Sequence, residues 1–337
     1  MTNPQLKRAI SNEERQEIIK QLTDPNFAHL SIRQLHQTML HKTGKYIASV
    51  RSYYRIAKAE GLMRKIKPRR AHRDHLNEHD FERRKSCSAS APNQVWMWDI
   101  SYFNYGIGYV YLFLVMDLYS RKIVAAKFYK DQSAESAVEL FKQAFADNNI
   151  SVLDELVIHS DNGAAMRSEL TVGLFKQHGV KLLLSRPLVS NDNSFVESLF
   201  RSLKYPYRLD VSSLSNIDLC NKRLDLIIQS YNIERPHSSI NFVPPAVRHQ
   251  SQEEEKLYLN KCKQAQDEHF KLHPERYIQG KMRTYQREGT QYLNPSAEMV
   301  INDHKEMSYS KSLSIWAKRL KTHKVLLLKD GKYEISS

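Results

Sequence analysis

The stretch from Leu156 to Lys204 constrains this chain more than any other, because it holds two carboxylates in contrasting predicted settings. Asp161 follows a short apolar run and precedes Asn162, so it is predicted to end a buried strand just before a turn. Glu197 comes after 35 intervening residues, in a segment with an apolar stripe at helical spacing: Val196, Leu199, Phe200 and Leu203. The stretch therefore predicts one acid at a strand end and another on a helix.

Two carboxylates placed in this way can share hard divalent cations. Mg²⁺ and Mn²⁺ prefer oxygen ligands, and two such ions about 3.5–4 Å apart hold the attacking and leaving oxygens of a phosphoryl transfer. That chemistry requires a third carboxylate on an adjacent strand, and Asp99 is a candidate within the apolar run 95–101. The sequence thus predicts an acid triad, Asp99, Asp161 and Glu197, whose members are both catalytic residues and ligands of two Mg²⁺ or Mn²⁺ ions.

Four motifs resemble a known family of proteins. They are PNQVWMWDIS at 92–101, HSDNG at 159–163, SNDNSFVESLFRSLK at 190–204 and YNIERPHSSINFVPPAV at 231–247. In this order they resemble the integrase core of the insertion-sequence-three family of bacterial transposases. The acid triad with its 35-residue gap is similar to the DDE triad of transposases and retroviral integrases. The resemblance covers residues 92–248, the predicted catalytic core, and implies a ribonuclease H-like fold.

The apolar runs of this core predict a mixed α/β sheet. Three strand-like runs come first, at 95–103, 109–118 and 122–129. Helices then alternate with two short strands at 156–160 and 180–184. Strands that are first antiparallel and then joined through helices predict a mixed sheet with helices on both faces.

Residues 1–63 predict an all-α domain of three helices. Ser11 and Ser31 each begin a capping box, and Ser49 begins the third helix. The inner face of that helix is expected to carry Val50, Tyr54 and Ala57. Its outer face carries residues suited to phosphates and base edges, namely Arg51, Ser52, Arg55 and Lys58. This pattern favours a helix-turn-helix domain with 49–60 as recognition helix, and the alternative is a helical bundle whose basic face is only solvated.

Two further segments complete the predicted domain organisation. Residues 64–91 are expected to form a basic linker, either a solvated tether or an arm that follows the DNA backbone. Residues 249–337 form a C-terminal region with a charged helix at about 250–270 and a hairpin signal around 329–332. This region is predicted to bind DNA or to multimerise.

The charge of the chain favours a polyanionic partner. There are 51 Lys and Arg residues against 37 Asp and Glu residues, which gives a net charge of +14. Nucleic acid is the simplest such partner, although solubility alone could account for the excess. Three scattered cysteines argue against a zinc finger and fit a reducing cytosol. Without a long apolar run or a signal segment, a bacterial cytoplasmic, nucleoid-associated protein with no membrane partner is expected.

Several other polar residues near the acid triad compete for roles. Asp117 is expected to cap a turn, and Asp192 to be the N-cap of the helix that carries Glu197. His159 and His237 are interpreted as structural, with a supporting catalytic role left open for His237. Arg201 and Lys204 lie on the same helical face as Glu197 and are predicted to contact DNA, or else form a solvated face.

These features together predict a DNA transposase. The resemblance implies binding of double-stranded transposon ends and target DNA, metal-dependent strand cleavage and 3′-hydroxyl strand transfer. Joining two ends implies a homo-oligomer on DNA. Members of the family are often made as fusions, so this chain is either a downstream product with an upstream-frame partner protein or a member of a subgroup that manages without the fusion. The alternatives are a catalytically silent helix-turn-helix regulator and a ribonuclease H-like nuclease that only hydrolyses DNA.

Overall fold

The structure is a computed structural model of the 337-residue chain. It describes residues 9–63, 86–105, 108–151, 155–185, 193–214, 216–277, 283–295 and 299, and the backbone of 326–329 and 332–335. The chain divides into two compact units, Met1–Arg73 with Ile233–Arg287 and Asp74–Asn232 with Glu288–Ser337. The predicted domain limits at 63, 91 and 248 differ from this division, because residues 233–248 group with the N-terminal segment.

The secondary structure is as follows. The described α-helices are α1 (Asn12–Thr23), α2 (Ile32–Thr43), α3 (Val50–Ala59), α4 (Ala134–Asp147), α5 (Ala164–Arg167), α6 (Glu169–Gln177), α7 (Ser194–Lys204), α8 (Ile217–Gln229), α9 (Pro245–Gln250) and α10 (Gln252–Leu272). The described strands are β1 (Cys87–Ala89), β2 (Val95–Tyr105), β3 (Gly108–Asp117), β4 (Ile123–Tyr129), β5 (Val157–Ser160), β6 (Lys181–Leu184), β7 (Gln291–Leu293), β8 (Leu326–Lys329) and β9 (Lys332–Ile335).

The first unit begins with the three predicted helices. Ser11 and Ser31 form complete capping boxes at the starts of α1 and α2, and Ser49 accepts a hydrogen bond from Ser52 N at the start of α3. The buried face of α3 consists of Tyr53, Ile56 and Ala57. The expected inner face was therefore wrong at Tyr54, which is exposed, and at Val50, which is only partly buried.

The long helix α10 covers α2 within this unit. Leu40 of α2 packs in one apolar cluster with Tyr258 and Cys262 of α10. The Gln37 Nε2 atom donates a hydrogen bond to Cys262 Sγ at 2.9 Å. As a result, every residue from Gln34 to Leu40 is buried. The predicted charged helix of the C-terminal region is thus confirmed, and it belongs to the same compact unit as the N-terminal helices.

The second unit contains the predicted mixed sheet. Its five strands have the order β4-β3-β2-β5-β6. The pairs β4–β3 and β3–β2 are antiparallel, whereas β2–β5 and β5–β6 are parallel. Apolar side chains on one face pack with α7 and α8, and those on the other face pack with α4 and α6. Helices on both faces of a mixed sheet confirm the predicted α/β class.

The free edge of β4 is covered by two asparagine side chains. Asn232 accepts from Ile123 N and donates to Ile123 O, both at 2.9 Å. Asn221 of α8 does the same at Phe128, at 2.7 Å and 3.3 Å. Each amide therefore imitates a neighbouring strand and satisfies backbone groups that an edge strand would leave unpaired. The sequence predicted only that Asn232 would help to end a helix.

Replacing Asn232 by alanine is expected to destabilise the second unit. Asn232 is buried, so the substitution leaves the N–H and C=O groups of Ile123 without partners, at a cost of about 1–3 kcal/mol for each buried group. Denaturant unfolding of Asn232→Ala beside the exposed-site variant Asp218→Ala would measure the difference. Equal midpoints for the two variants would contradict the edge-covering role.

Two smaller sheets contain strands from the predicted linker and from the C-terminal region. Residues 87–89 of the predicted linker form β1, which pairs antiparallel with β7, so this part of the segment is not a free tether. The remainder, 64–85, lies outside the described residues. Strands β8 and β9 are antiparallel, which confirms the hairpin predicted around 329–332. In the part of the chain that the structure describes, no helix is long and apolar enough to cross a membrane.

Candidate active site

Asp99 and Asp161 lie where two neighbouring strands separate. The parallel pairing of β2 with β5 ends at Trp98 and Ser160. Asp99 and Asp161 directly follow this last pair. Because paired strands lie about 4.8 Å apart, the backbones of the two acids are close to each other. Asp99 shares a face of β2 with Met97, which packs in the apolar cluster on the α7 side of the sheet. The two aspartates therefore stand on neighbouring strands at the point where β5 ends, while β2 continues beside β3 to Tyr105.

The turn after β5 holds the Asp161 carboxylate in place. Gly163 N donates to Asp161 Oδ1 at 3.0 Å, and the Asn162 amide donates to the carbonyl oxygen of Ser185 at 2.6 Å. A Cβ atom added at Gly163 would lie 2.8 Å from the Met166 sulfur and 3.2 Å from Asp161 Oδ1. The absence of a side chain at Gly163 thus leaves room for the carboxylate, which is itself exposed.

Glu197 is presented by the first turn of α7. The apolar stripe predicted for this helix is buried against the sheet, at Val196, Leu199, Phe200 and Leu203. Glu197 is exposed beside this stripe. Because the apolar face of α7 is buried against the sheet, Glu197 is held on the neighbouring, exposed face of the helix, as the helical spacing predicted.

The charges of Asp161 and Glu197 both act on the carboxyl group of Asp99. The pKa of Asp99 is raised to about 7, mainly because the carboxyl is buried and further because the charges of Asp161 and Glu197 are close to it. A hydrogen bond from Ile100 N to Asp99 Oδ1, at 2.8 Å, opposes this rise. The pKa of Glu197 is also raised, because neighbouring protein atoms partly remove its carboxyl from water although the residue as a whole is exposed. Asp99 is thus the acid of the triad whose pKa responds both to burial and to the charges of the other two.

Lys204 lies on the same side of β2 as Asp99. Its ammonium group donates to Ser101 Oγ at 2.9 Å and stands 4.5 Å from the ring centre of Phe103. Burial lowers the pKa of this lysine. Arg201, one turn earlier on α7, is exposed. The two predicted cations therefore differ: Lys204 is anchored to β2 at Ser101, two residues from Asp99, whereas Arg201 is exposed.

Three polar residues that competed with the acid triad for catalytic roles, Asp117, His159 and His237, are held by contacts within the fold. Asp117 is buried and accepts hydrogen bonds from Ser120 N and Oγ and from Asn93 N, as expected for a residue that caps a turn. His159 is buried within β5. His237 lies in the first unit, where its Nδ1 atom is 3.0 Å from Ser239 Oγ. The supporting catalytic role of His237 stays a prediction.

The start of α7 differs from the expectation. Asp192 lies outside the described residues, and the N-cap position is occupied by Asn193, so the expected cap was wrong by one residue. The Asn193 side chain donates to the carbonyl oxygen of Trp98 at 3.2 Å. Sequence reasoning missed this residue. The available signal was an asparagine directly before a helix, which ordinarily indicates a cap and nothing more.

The predicted DNA-contacting face of α3 is open to solvent. Arg51, Arg55 and Lys58 are exposed. Ser52 is partly buried, and its hydroxyl lies 3.1 Å from Ser49 Oγ. The three cations thus form a basic surface on one side of the helix, opposite its buried face. Their contact with DNA stays a prediction.

A second group of potential metal ligands lies in the first unit. Ligand atoms of Glu14, His269 and His273 lie within 4.8 Å of one another. The Arg276 guanidinium donates to both carboxylate oxygens of Glu14, at 2.8 Å and 3.0 Å. Because this cation already balances the Glu14 charge, we assign no metal to the group.

Known family models match the region that contains the acid triad. Two models, both described as integrase core domain, match residues 89–189 and 178–245. This region is therefore similar to integrase core domains, and its five-stranded mixed sheet agrees with the ribonuclease H-like fold that the sequence resemblance implies.

The curated relatives of this region are transposases. It is 27% identical over 157 residues to the transposase for insertion sequence element IS904 of Lactococcus lactis, covering 47% of this chain and 61% of that protein. It is 32% identical over 131 residues to transposase InsF for insertion sequence IS3A of Escherichia coli, covering 39% and 43%. The region is thus similar to IS3-family transposases, which confirms the resemblance. The match spans about half the length of these relatives.

Solved structures with some similarity are viral integrases. A simian T-cell lymphotropic virus intasome in complex with the PP2A regulatory subunit B56 gamma has 18% identity and a TM-score of 0.42, over 68% of this chain and 74% of that chain. The HTLV-2 integrase catalytic core domain in complex with magnesium has 18% identity and a TM-score of 0.37, over 47% and 97%. We draw nothing further from TM-scores of this size.

Proposed function

We propose that this chain is a DNA transposase that binds the ends of a mobile element, cuts DNA strands with the help of divalent metal ions and transfers the freed 3′-hydroxyl to target DNA. The proposal is carried by the placement of Asp99 and Asp161 on neighbouring strands, directly after the last paired residues of β2 and β5, with Glu197 on the helix that packs against this sheet. The relatedness of residues 89–245 to transposases supports the same reaction class.

The acid triad suits a divalent cation. Its donors are all carboxylate oxygens, which Mg²⁺ and Mn²⁺ prefer, and a cation among them would relieve the repulsion felt by Asp99. Two such ions, when bound, lower the pKa of a water molecule and stabilise charge on the attacking and leaving oxygens. Asp99, Asp161 and Glu197 are the residues that would hold them.

The protein's own contribution is to keep these groups in fixed positions. The central strand β2 holds Asp99, the Gly163 amide holds the Asp161 carboxylate, and the buried face of α7 holds Glu197. Lys204, anchored at Ser101 two residues from Asp99, supplies a positive charge on the same strand face, and this charge can contact a DNA phosphate. No covalent link between protein and DNA is needed, since water and the freed 3′-hydroxyl are the two nucleophiles.

DNA recognition is assigned to the basic face of α3. In DNA-binding helices, one face packs against the protein and long cationic side chains on the other face contact phosphates and base edges. In α3 these side chains are Arg51, Arg55 and Lys58. Because two element ends must be joined, the active form is a homo-oligomer assembled on DNA. The upstream-frame partner is a separate prediction that no contact in the described residues supports.

Replacing Arg55 by alanine is expected to weaken binding to element ends and to lower the salt dependence of binding. A lost phosphate contact reduces the slope of log K against log salt by about 0.9. Fluorescence anisotropy at several KCl concentrations would measure both effects, with the exposed Lys142→Ala variant on α4 as a control. An unchanged slope for Arg55→Ala would favour a merely solvated face.

Incubation of the protein with labelled DNA that carries the element's ends, with and without Mg²⁺, tests the proposed function. A transposase gives metal-dependent nicks at the ends and joined products in target DNA. Nicking without joining would indicate the hydrolysis-only nuclease. Binding without any cleavage, in Mg²⁺ and in Mn²⁺, would indicate the regulator.

A further inference from the structure

The side chain at the start of α7 does not serve the helix that it begins. An asparagine at an N-cap ordinarily accepts a hydrogen bond from a backbone N–H of the first turn. Asn193 makes no such bond. Its Nδ2 atom donates instead to the carbonyl oxygen of Trp98, at 3.2 Å, across to the central strand of the sheet. The side chain therefore connects two elements and does not cap one.

The contact between Asn193 and Trp98 lies close in the sequence, or across the strand pair, to each of the three acids. Trp98 is the last residue of β2 that pairs with β5, and it directly precedes Asp99. Its partner Ser160 directly precedes Asp161. Glu197 follows Asn193 by four residues and so lies about one helical turn further along α7. One hydrogen bond thus joins the start of the helix that carries Glu197 to the point where the strands carrying the two aspartates separate.

Burial makes this arrangement costly unless the contact has a use. Asn193 is 4% exposed, and in the described part of the chain its Oδ1 atom has no hydrogen-bond partner. A buried amide oxygen without a partner lowers the free energy of unfolding, and no capping hydrogen bond from Asn193 offsets this loss. An apolar residue would satisfy the packing equally well, so the polar group is explained by its bond to Trp98.

A second contact holds the same turn of α7 from another side. The guanidinium carbon of Arg121 lies 4.0 Å from the ring centre of Phe195, and Arg121 also donates to Gln291 at 2.9 Å. Because this cation and the buried apolar stripe secure the helix, α7 is expected to form without the Asn193 amide. The remaining effect of the amide is to fix how far Glu197 lies from the two aspartates.

We propose that Asn193 is a positioning residue that sets the spacing of the acid triad for metal binding. The proposal rests on the proposed function and acts through the Trp98 backbone and α7, without contact between Asn193 and DNA. Side chains that orient metal ligands without touching the metal typically change metal affinity or activity by about 10–100-fold when they are removed. Loss of the amide is therefore expected to affect metal binding and cleavage, and not the affinity for DNA.

The test compares Asn193→Ala with Asn216→Ala. Asn216 caps α8 in the ordinary way, by accepting from Asp218 N at 2.6 Å, so its loss weakens a helix start away from the acid triad. Calorimetric titration of the DNA-free protein with Mn²⁺ gives metal affinity, and anisotropy gives DNA affinity. For Asn193→Ala we expect the Kd for Mn²⁺ to rise about tenfold and Mg²⁺-dependent nicking to fall about tenfold or more. Both variants should retain cooperative melting and DNA affinity within about twofold of wild type.

Each other outcome decides against a part of the proposal. If Asn193→Ala binds Mn²⁺ as tightly as Asn216→Ala, or if it no longer melts cooperatively, the residue serves stability and the positioning role is overturned. If wild type binds Mn²⁺ but cuts no DNA, the proposed function fails, and the two Mn²⁺ affinities still decide the role of Asn193. If wild type binds no Mn²⁺, the positioning role fails as well.

Discussion

Asp161→Asn is expected to reduce metal-dependent nicking and end joining strongly while leaving DNA binding unchanged. The substitution removes one negative charge from the acid triad and preserves the size of the side chain. Asn Oδ1 can still accept the hydrogen bond from Gly163 N, so the turn after β5 keeps its conformation. We expect cleavage to fall by about 10²–10³-fold, the effect of losing one group that stabilises charge in a transition state.

The matched control for this substitution is Asp147→Asn. Asp147 is an exposed acid at the end of α4, and its Oδ1 accepts a hydrogen bond from Gln143 that an asparagine can also accept. The same charge is therefore lost from the protein, but away from the acid triad. Cleavage and joining of labelled element ends should be normal for Asp147→Asn. Cleavage that persists in Asp161→Asn would place the active site elsewhere on the chain.

The parts of the fold that follow local rules were predictable from the sequence. Capping boxes at Ser11 and Ser31 depend on residues three apart, and the buried stripe of α7 depends on helical spacing. The order of apolar runs similarly predicted a mixed sheet with Asp99 and Asp161 at its strands. These features could be inferred because each depends on residues that are close in the sequence.

The features that escaped prediction depend on residues far apart in the sequence. The bond from Asn193 to Trp98 joins positions separated by 95 residues, and the pairing of β1 with β7 by about 200. Likewise, α10 covers α2 although the two helices lie near opposite ends of the chain. In α3, a helical periodicity shifted by one residue placed Tyr54 inside, whereas packing buries Tyr53. Local pattern identifies an element, but tertiary contacts select its buried face and its partners.

Asp99→Asn is expected to change how stability depends on pH in the absence of metal. The pKa of Asp99 lies at about 7 in the folded protein, well above its ordinary value of 3.8, because of burial and of the nearby charges of Asp161 and Glu197. The folded state therefore holds this proton more tightly than the unfolded state. The contribution of Asp99 to stability is fully present below about pH 4 and is lost as the pH rises through about 7. Asparagine carries no titrating proton, so this loss should be absent from the variant.

Thermal melting of both proteins in EDTA, from pH 4.5 to pH 8.5, would measure the difference between their curves. Other titrating groups are shared, so the melting temperature of Asp99→Asn should rise relative to wild type as the pH increases. Adding Mn²⁺ at pH 8 should then stabilise wild type, by about 2.7 kcal/mol at a hundredfold excess over Kd. The variant should gain much less, since it lacks one metal-binding carboxylate. Parallel pH curves together with equal stabilisation by Mn²⁺ would mean that Asp99 is neither repelled by its neighbours nor part of a metal site.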